Sequence, residues 1–209
     1  MNKKNLFTIL FLIIFIGLIV LIKTNSIDTF DLGLYNLVTI NMNDTLTSLF
    51  KSITFVGSGL AIASSCVISV IITVLLKRKR IGFIIALCVT FNSLFSEGFK
   101  YIIARPRPEI LQLASESSYS FPSSHTLASV SLCGILIYFA IKSKLDKRVK
   151  IVLTILLALI PFLIGISRIY LGVHNASDVI GGFALAMILL LIEIDIIEKK
   201  DLLKEEIIN

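Results

Sequence analysis

Charge is scarce in this chain. Of 209 residues, 16% are charged and 56% hydrophobic, where an ordinary soluble domain carries about a quarter charged residues. That shortage excludes a conventional water-soluble fold and leaves no length for a sizeable soluble domain beside the apolar segments. Cysteine is also sparse. Cys66, Cys88 and Cys133 are scattered and each lies inside an apolar run, which excludes a disulfide framework or metal knuckle and leaves them as small hydrophobes. Histidine occurs twice, at 125 and 174. A three-ligand catalytic zinc would have to recruit Asp178 and would set the ion beside Lys100 and Arg107, so the residue set argues against zinc. Carboxylates grouped as a two-metal site wants them are missing as well. No regular repeat and no low-complexity linker interrupts the chain.

What the chain does have is long apolar runs. A helix needs about 20 such residues to cross about 30 Å of hydrocarbon. Runs at 6–22, 53–76, 81–99, 123–141, 151–166 and 176–191 predict an all-α polytopic membrane protein with six transmembrane helices, forming one integral membrane domain over 1–209. The first run follows Lys3 and Lys4 and has no small-x-small cleavage pattern after it, so it is expected to be a retained span. Residues 23–52 are too mixed to span. They read as short amphipathic helices at the interface, with Asn43 or Asp44 as the N-cap of the second. Gly57, Gly59, Ala61, Ala63, Ser64 and Ser65 give the start of span 2 a small face suited to close packing in lipid, and Pro161 is expected to kink span 5.

The net charge of +6 sits mostly in short connections. Lys3 and Lys4, the turn Lys77, Arg78, Lys79 and Arg80, the loop KSKLDKRVK and the Lys199–Lys200 tail fall on one side of a six-span chain, and the positive-inside rule makes that side cytoplasmic. Both termini are then cytoplasmic, and two polar islands face outward. The first runs from Lys100 to His125, KYIIARPRPEILQLASESSYSFPSSH, and the second is SRIYLGVHNASD from Ser167 to Asp178.

Cations on the disfavoured side call for a site. Lys100 and Arg107 are seven apart, two turns on one face if the helix lasts, although Pro106 and Pro108 end helices. Arg168 near lipid wants an anion, and a guanidinium fork suits phosphoryl oxygens. Pro122, Ser123 and Ser124 precede an apolar helix, so a hydroxyl is expected to cap it and leave free N–H groups toward an anion. His125, in that first turn, is placed to donate a proton. His174 and Asp178 are four apart, hence one above the other if that segment is helical. A carboxylate on one ring nitrogen makes the other a better base or nucleophile, though the pair could also simply tie a helix end. Glu97 is a candidate accessory residue that pairs with Lys100 or lines the entrance. Arg105 is off the Lys100–Arg107 spacing and reads as a lipid headgroup contact. Tyr101, Tyr119 and Tyr170 read as interfacial anchors.

The patterns K-x6-R-P (Lys100, Arg107, Pro108), P-S-x-H (Pro122, Ser123, Ser124, His125) and S-R-x5-H-x3-D (Ser167, Arg168, His174, Asp178) together resemble the three-part signature of the type 2 phosphatidic acid phosphatase superfamily. Serine stands at 124, where that family commonly has glycine, and Asn175 follows the motif histidine. The resemblance covers 100–178. It implies a bacterial cytoplasmic-membrane phosphatase with an extracytoplasmic site, acting on the phosphomonoester or pyrophosphate of a lipid such as undecaprenyl pyrophosphate, phosphatidylglycerol phosphate or phosphatidic acid. By the same resemblance, Lys100, Arg107 and Arg168 clamp the phosphoryl group with help from Ser123 and Ser124. His174 is the nucleophile that becomes phosphohistidine, Asp178 orients it and His125 protonates the leaving oxygen. No cofactor and no metal are expected, and the partners are a lipid phosphate and the bilayer, with no nucleic acid. The competing reading is a non-catalytic anionic-lipid binder or transporter, which would not need the two histidines.

Overall fold

A computed structural model describes residues 3–202. They form eight helices: α1 (Lys3–Lys23), α2 (Asp28–Thr39), α3 (Asp44–Val56), α4 (Gly59–Leu75), α5 (Lys79–Ile103), α6 (Ser124–Lys142), α7 (Lys147–Tyr170) and α8 (Ala176–Lys199), with no strand among the described residues. Five of them, α1, α5, α6, α7 and α8, are long and apolar enough to cross a membrane, and the bent pair α3 and α4 makes a sixth if taken as one span. All-helical spanning follows from the solvent, since hydrocarbon offers backbone groups no partner and a helix satisfies them internally.

The mixed segment between the first two apolar runs folds as two short helices. Asn43 caps α3, its Oδ1 accepting from the Leu46 amide at 2.9 Å. The expected continuous span 53–76 is broken at Gly57–Ser58, where α3 and α4 meet at 46°. Two features account for the break. Ser58 caps α4 by accepting from the Ala61 amide, and Gly57 lies so close to α7 that a Cβ there would sit 2.7 Å from the Ile164 Cγ2. Residues 44–56 therefore lean across α7 rather than continuing the span, which brings Thr54 to the functional end of the molecule. Pro161 lies inside α7, and that helix carries on to Tyr170.

The helix α6 is the axis of the bundle, packed by α5, α7 and α8, while α1 covers α8 and α4 covers α5. In lipid the gain from such packing is dispersion between interlocking side chains rather than escape from water. Phe15 of α1 stacks on Phe121 at 5.6 Å, and with Leu127 and Leu185 they form one buried cluster. Ile62, Ile85, Ile135 and Leu190 anchor another, between α4, α5, α6 and α8. Large apolar side chains such as Ile13, Phe83 and Phe162 point outward, as a lipid-facing surface requires. The three cysteines are buried and free.

The two ends of the bundle differ. At one, Lys4 and Lys142 converge on Glu198, the latter at 2.9 Å. At the other, residues 104–123 cross the helix ends as an ordered strap. The Leu113 amide donates to the Leu171 carbonyl, and the Ser120 amide donates to the Arg105 carbonyl, each at 2.9 Å. Gly172 makes the first contact possible. It has φ +70, and a Cβ on it would meet the Leu111 carbonyl oxygen at 2.2 Å, so glycine is required on both counts.

Candidate active site

Residues from both polar islands meet beneath this strap. Helix α5 ends at Ile103, so Lys100 and Arg107 do not share a helical face; the strap folds Arg107 back instead. Lys100 is 4% exposed, and its Nζ donates to Ser118 Oγ at 2.9 Å and pairs with Glu97 Oε1 at 3.2 Å. Arg107 is held by two carbonyls, Ser118 O on Nε and Val173 O on Nη1, both at 2.7 Å. Its Nη1 lies 3.4 Å from His174 Nε2. Arg168, at the end of α7, is 2% exposed. It donates through Nη1 to Thr54 Oγ1 at 2.9 Å and through Nη2 to Glu116 Oε1, while its buried Nε has no hydrogen-bond partner among the described residues.

His174 sits in the short turn between α7 and α8, and Asp178 in the first turn of α8. Their separation, His174 Nδ1 to Asp178 Oδ2, is 3.6 Å, just over hydrogen-bond length, and the buried Nδ1 has no hydrogen-bond partner among the described residues. The Asp178 backbone is locked to the start of α6, because the Ser123 amide donates to the Asp178 carbonyl at 3.0 Å. His125, in the first turn of α6, has its Nδ1 3.9 Å from Glu116 Oε1. One end of the bundle thus gathers three cations, Lys100, Arg107 and Arg168, two imidazoles and three carboxylates, Glu97, Glu116 and Asp178.

The electrostatics follow from burial. Burial pushes the His174 imidazole down from 6.5 to about 4, Arg168 and Arg107 push the same way, and Asp178 opposes them. At neutral pH the ring is therefore uncharged, and Nε2 is the nitrogen turned away from the carboxylate. Burial alone would raise Glu116, yet the charges of Arg168 and Arg107 hold its carboxyl below the usual range. Arg107 is lowered by burial against the pull of Glu116.

Several sequence expectations change here. Arg105 is no headgroup contact. It is 8% exposed and bridges two buried carboxylates, Asp178 Oδ1 at 2.7 Å and Asp31 Oδ2 at 2.8 Å. Ser123 precedes α6, but its hydroxyl accepts from Thr126 Oγ1 at 3.1 Å and caps no backbone N–H. The Ser124 hydroxyl donates to Glu97 Oε1 at 2.8 Å, so Glu97 ties Lys100 to the start of α6. Tyr170 is fully buried, against Phe50 and hydrogen-bonded to Thr47, and is no interfacial anchor, whereas Tyr101 and Tyr119 are exposed and meet edge to face. Sequence reasoning missed Asp31, Thr54, Glu116 and Ser118. Glu116 carried a readable signal, one of two acids, with Glu109, in the polar stretch before PSSH. The others carried none. Among the described residues no three His, Cys, Asp or Glu side chains converge as metal ligands.

Comparison with known proteins adds five matches. The family model of the PAP2 superfamily matches residues 81–201. Phosphatidylglycerophosphatase B of Bacillus subtilis (strain 168) is 31% identical over 182 residues, 84% of this chain and 87% of that protein. Lipid phosphate phosphatase delta of Arabidopsis thaliana is 30% identical over 131 residues, 55% of this chain and 30% of that one. Among solved structures, a transmembrane PAP2 type phosphatidylglycerolphosphate phosphatase from Bacillus subtilis superposes with a TM-score of 0.85 at 29% identity, covering 95% of this chain and 98% of that one. Aquifex aeolicus LpxE superposes with a TM-score of 0.64 at 25% identity, covering 78% and 94%.

Proposed function

The chain belongs to the PAP2 superfamily, and from that premise we propose that it hydrolyses the terminal phosphate of a membrane lipid through a phosphohistidine on His174. The observation that carries this reading is the neutral, carboxylate-backed His174 whose Nε2 faces Arg107, with Lys100 and Arg168 converging on the same space. Phosphoryl transfer asks chiefly for positioning and charge neutralisation, and three fixed cations supply the neutralisation that Mg²⁺ supplies elsewhere.

In the first step His174 Nε2 attacks phosphorus in line. The N–P bond forms as the P–O bond to the lipid breaks, and His125 delivers its proton to the departing oxygen. In the second step a water oxygen attacks phosphorus, the N–P bond breaks, and His125 takes the proton that the water gives up. Lys100, Arg107 and Arg168 hold the nonbridging oxygens through both steps, with Glu97 and Ser124 steadying Lys100 and the start of α6. The Glu116 carboxylate, seated among Arg168, Arg107 and His125, supports an anion site at that spot. The reaction is metal-independent in this reading.

A phosphatidylglycerol phosphate is the favoured substrate, because relatives named for that activity match over most of both chains. Undecaprenyl pyrophosphate and phosphatidic acid are the comparison substrates. The basic end of the bundle is taken as cytoplasmic in a bacterial inner membrane, which puts the strap at the outer leaflet. Purified protein in EDTA should release inorganic phosphate from phosphatidylglycerol phosphate faster than from the other two lipids, with acid-labile phosphoenzyme trapped on quenching. His174→Ala should abolish both. Full turnover in that variant would refute the nucleophile and leave a lipid binder as the better reading.

A further inference from the structure

Asp178 is gripped from the side away from His174. Its Oδ1 accepts from Arg105 Nη1 at 2.7 Å, while Oδ2 accepts from the Asn175 amide at 2.8 Å and faces His174. The same Arg105 Nη1 reaches Ser177 Oγ at 2.7 Å, and its Nη2 reaches Asp31 Oδ2 at 2.8 Å. Asp31 comes from α2, some 146 residues before Ser177. Its Oδ1 accepts from the Ser177 amide at 2.8 Å, and its Oδ2 accepts from the Ser177 hydroxyl at 2.6 Å. Asp31 thus occupies a free N–H in the first turn of α8, the helix that carries Asp178, where a negative charge is favoured. Arg105 meanwhile fixes the rotamer of the Asp178 side chain.

The charge count separates this cluster from a structural ion pair. One guanidinium set against two carboxylates leaves one buried negative charge beside His174, whereas a scaffold pair is neutral. Buried ion clusters are in any case weak sources of stability, since packed apolar groups do as well or better. A surplus negative charge is useful where positive charge appears. When Nε2 of His174 bonds to phosphorus the ring becomes an imidazolium, with Arg107 and Arg168 already crowding it.

We propose that Asp31 and Arg105 are positioning residues of the phosphoryl transfer, so that helix α2 belongs to the reaction machinery and not to the membrane anchor alone. Arg105 holds Asp178 with one oxygen toward the ring, and Asp31 fixes both Arg105 and the start of α8, adding the second negative charge that the phosphorylated imidazole requires. This inference rests on His174 being the nucleophile.

The test uses the full-length protein in detergent micelles with phosphatidylglycerol phosphate, comparing wild type with His174→Ala, Asp31→Asn, Arg105→Lys and Ser177→Ala. Asp31→Asn should lower kcat about ten- to a hundredfold, the scale of a small misplacement of reacting groups, with KM moving less than about threefold because ground-state binding is untouched. Orthovanadate, which mimics the five-coordinate phosphorus against the nucleophile, should inhibit Asp31→Asn more weakly by the same factor as the loss of kcat. Inorganic phosphate, which needs only the cation cage, should inhibit it as it does wild type. Arg105→Lys keeps the charge without the fork and should fall between wild type and Asp31→Asn. An Asp31→Asn protein with wild-type kcat overturns the proposal, and so does one in which vanadate and phosphate inhibition weaken together, since that is a collapsed cage. If Asp31→Asn does not fold, Ser177→Ala decides: lower kcat at unchanged KM supports the proposal, and unchanged kcat overturns it. Turnover retained by His174→Ala would instead overturn the nucleophile reading and this inference with it.

Discussion

Acid should destabilise this protein through His174. The ring has a folded value of about 4 against 6.5 in its ordinary state. Lowering the pH from 7.5 to 5 therefore protonates the unfolded chain at this position while the folded ring stays neutral. The sign follows from proton uptake, since a folded value depressed below the unfolded one leaves stability intact above 6.5, drains it as pH falls toward 4 and adds nothing further below that. At pH 5 the difference in uptake amounts to about 2 kcal/mol, taking about 1.4 kcal/mol per pH unit over the interval. For a chain of this size that is a fall of about 4–8 °C in Tm. The assay is loss of helical circular dichroism on heating in detergent at pH 7.5, 6.5, 5.5 and 5.0, for wild type and His174→Asn. Groups other than His174 titrate in both proteins and cancel in the comparison. The wild type should lose about 4–8 °C more than the variant between the two extremes. Equal pH slopes in the two proteins would mean that the ring is solvated or protonated in the folded state, and a neutral nucleophile at Nε2 would go with it.

Three further outcomes follow. Arg168→Lys should cost about a hundredfold or more in kcat/KM, the scale of losing one oriented donor to a developing charge, because an ammonium cannot reach both Thr54 and Glu116 as the fork does; activity within threefold of wild type would remove Arg168 from the clamp. Gly172→Ala should lower Tm by several degrees, since φ +70 and a 2.2 Å approach to the Leu111 carbonyl admit no Cβ, a cost above about 1 kcal/mol; an unchanged Tm would show that the strap rearranges freely. A reporter enzyme fused after Lys147 should be active only in its cytoplasmic form, and an extracytoplasmic signal there would invert the proposed orientation.

Much of the architecture could be read from residue order because lipid is an unforgiving solvent. An uninterrupted apolar run has only a helix open to it, so five of the spans were legible from the runs themselves. Lys100, Arg107, Arg168, His125 and His174 stood out for the same reason, since such groups are expensive beside hydrocarbon and their spacing matched a phosphate site. The sixth span was less legible. Its bend at Gly57–Ser58 is set by the approach of Ile164, more than a hundred residues away, which no local pattern reports.

Chemistry within each motif was local information, and the neighbours of each side chain were not. Arg105 and Arg107 are two residues apart in one loop, yet the first is locked between Asp31 and Asp178 and the second opens onto His174 Nε2. Asp31 lay unremarked in a mixed amphipathic segment, and the Ser123 hydroxyl looked like an ordinary cap. Residue order alone determined that this is a helical membrane protein with cations and imidazoles on one side. Tertiary packing decided which charges neutralise one another and which remain to meet a ligand, because Coulomb energy depends on distance through space and on burial, and neither is encoded in separation along the chain.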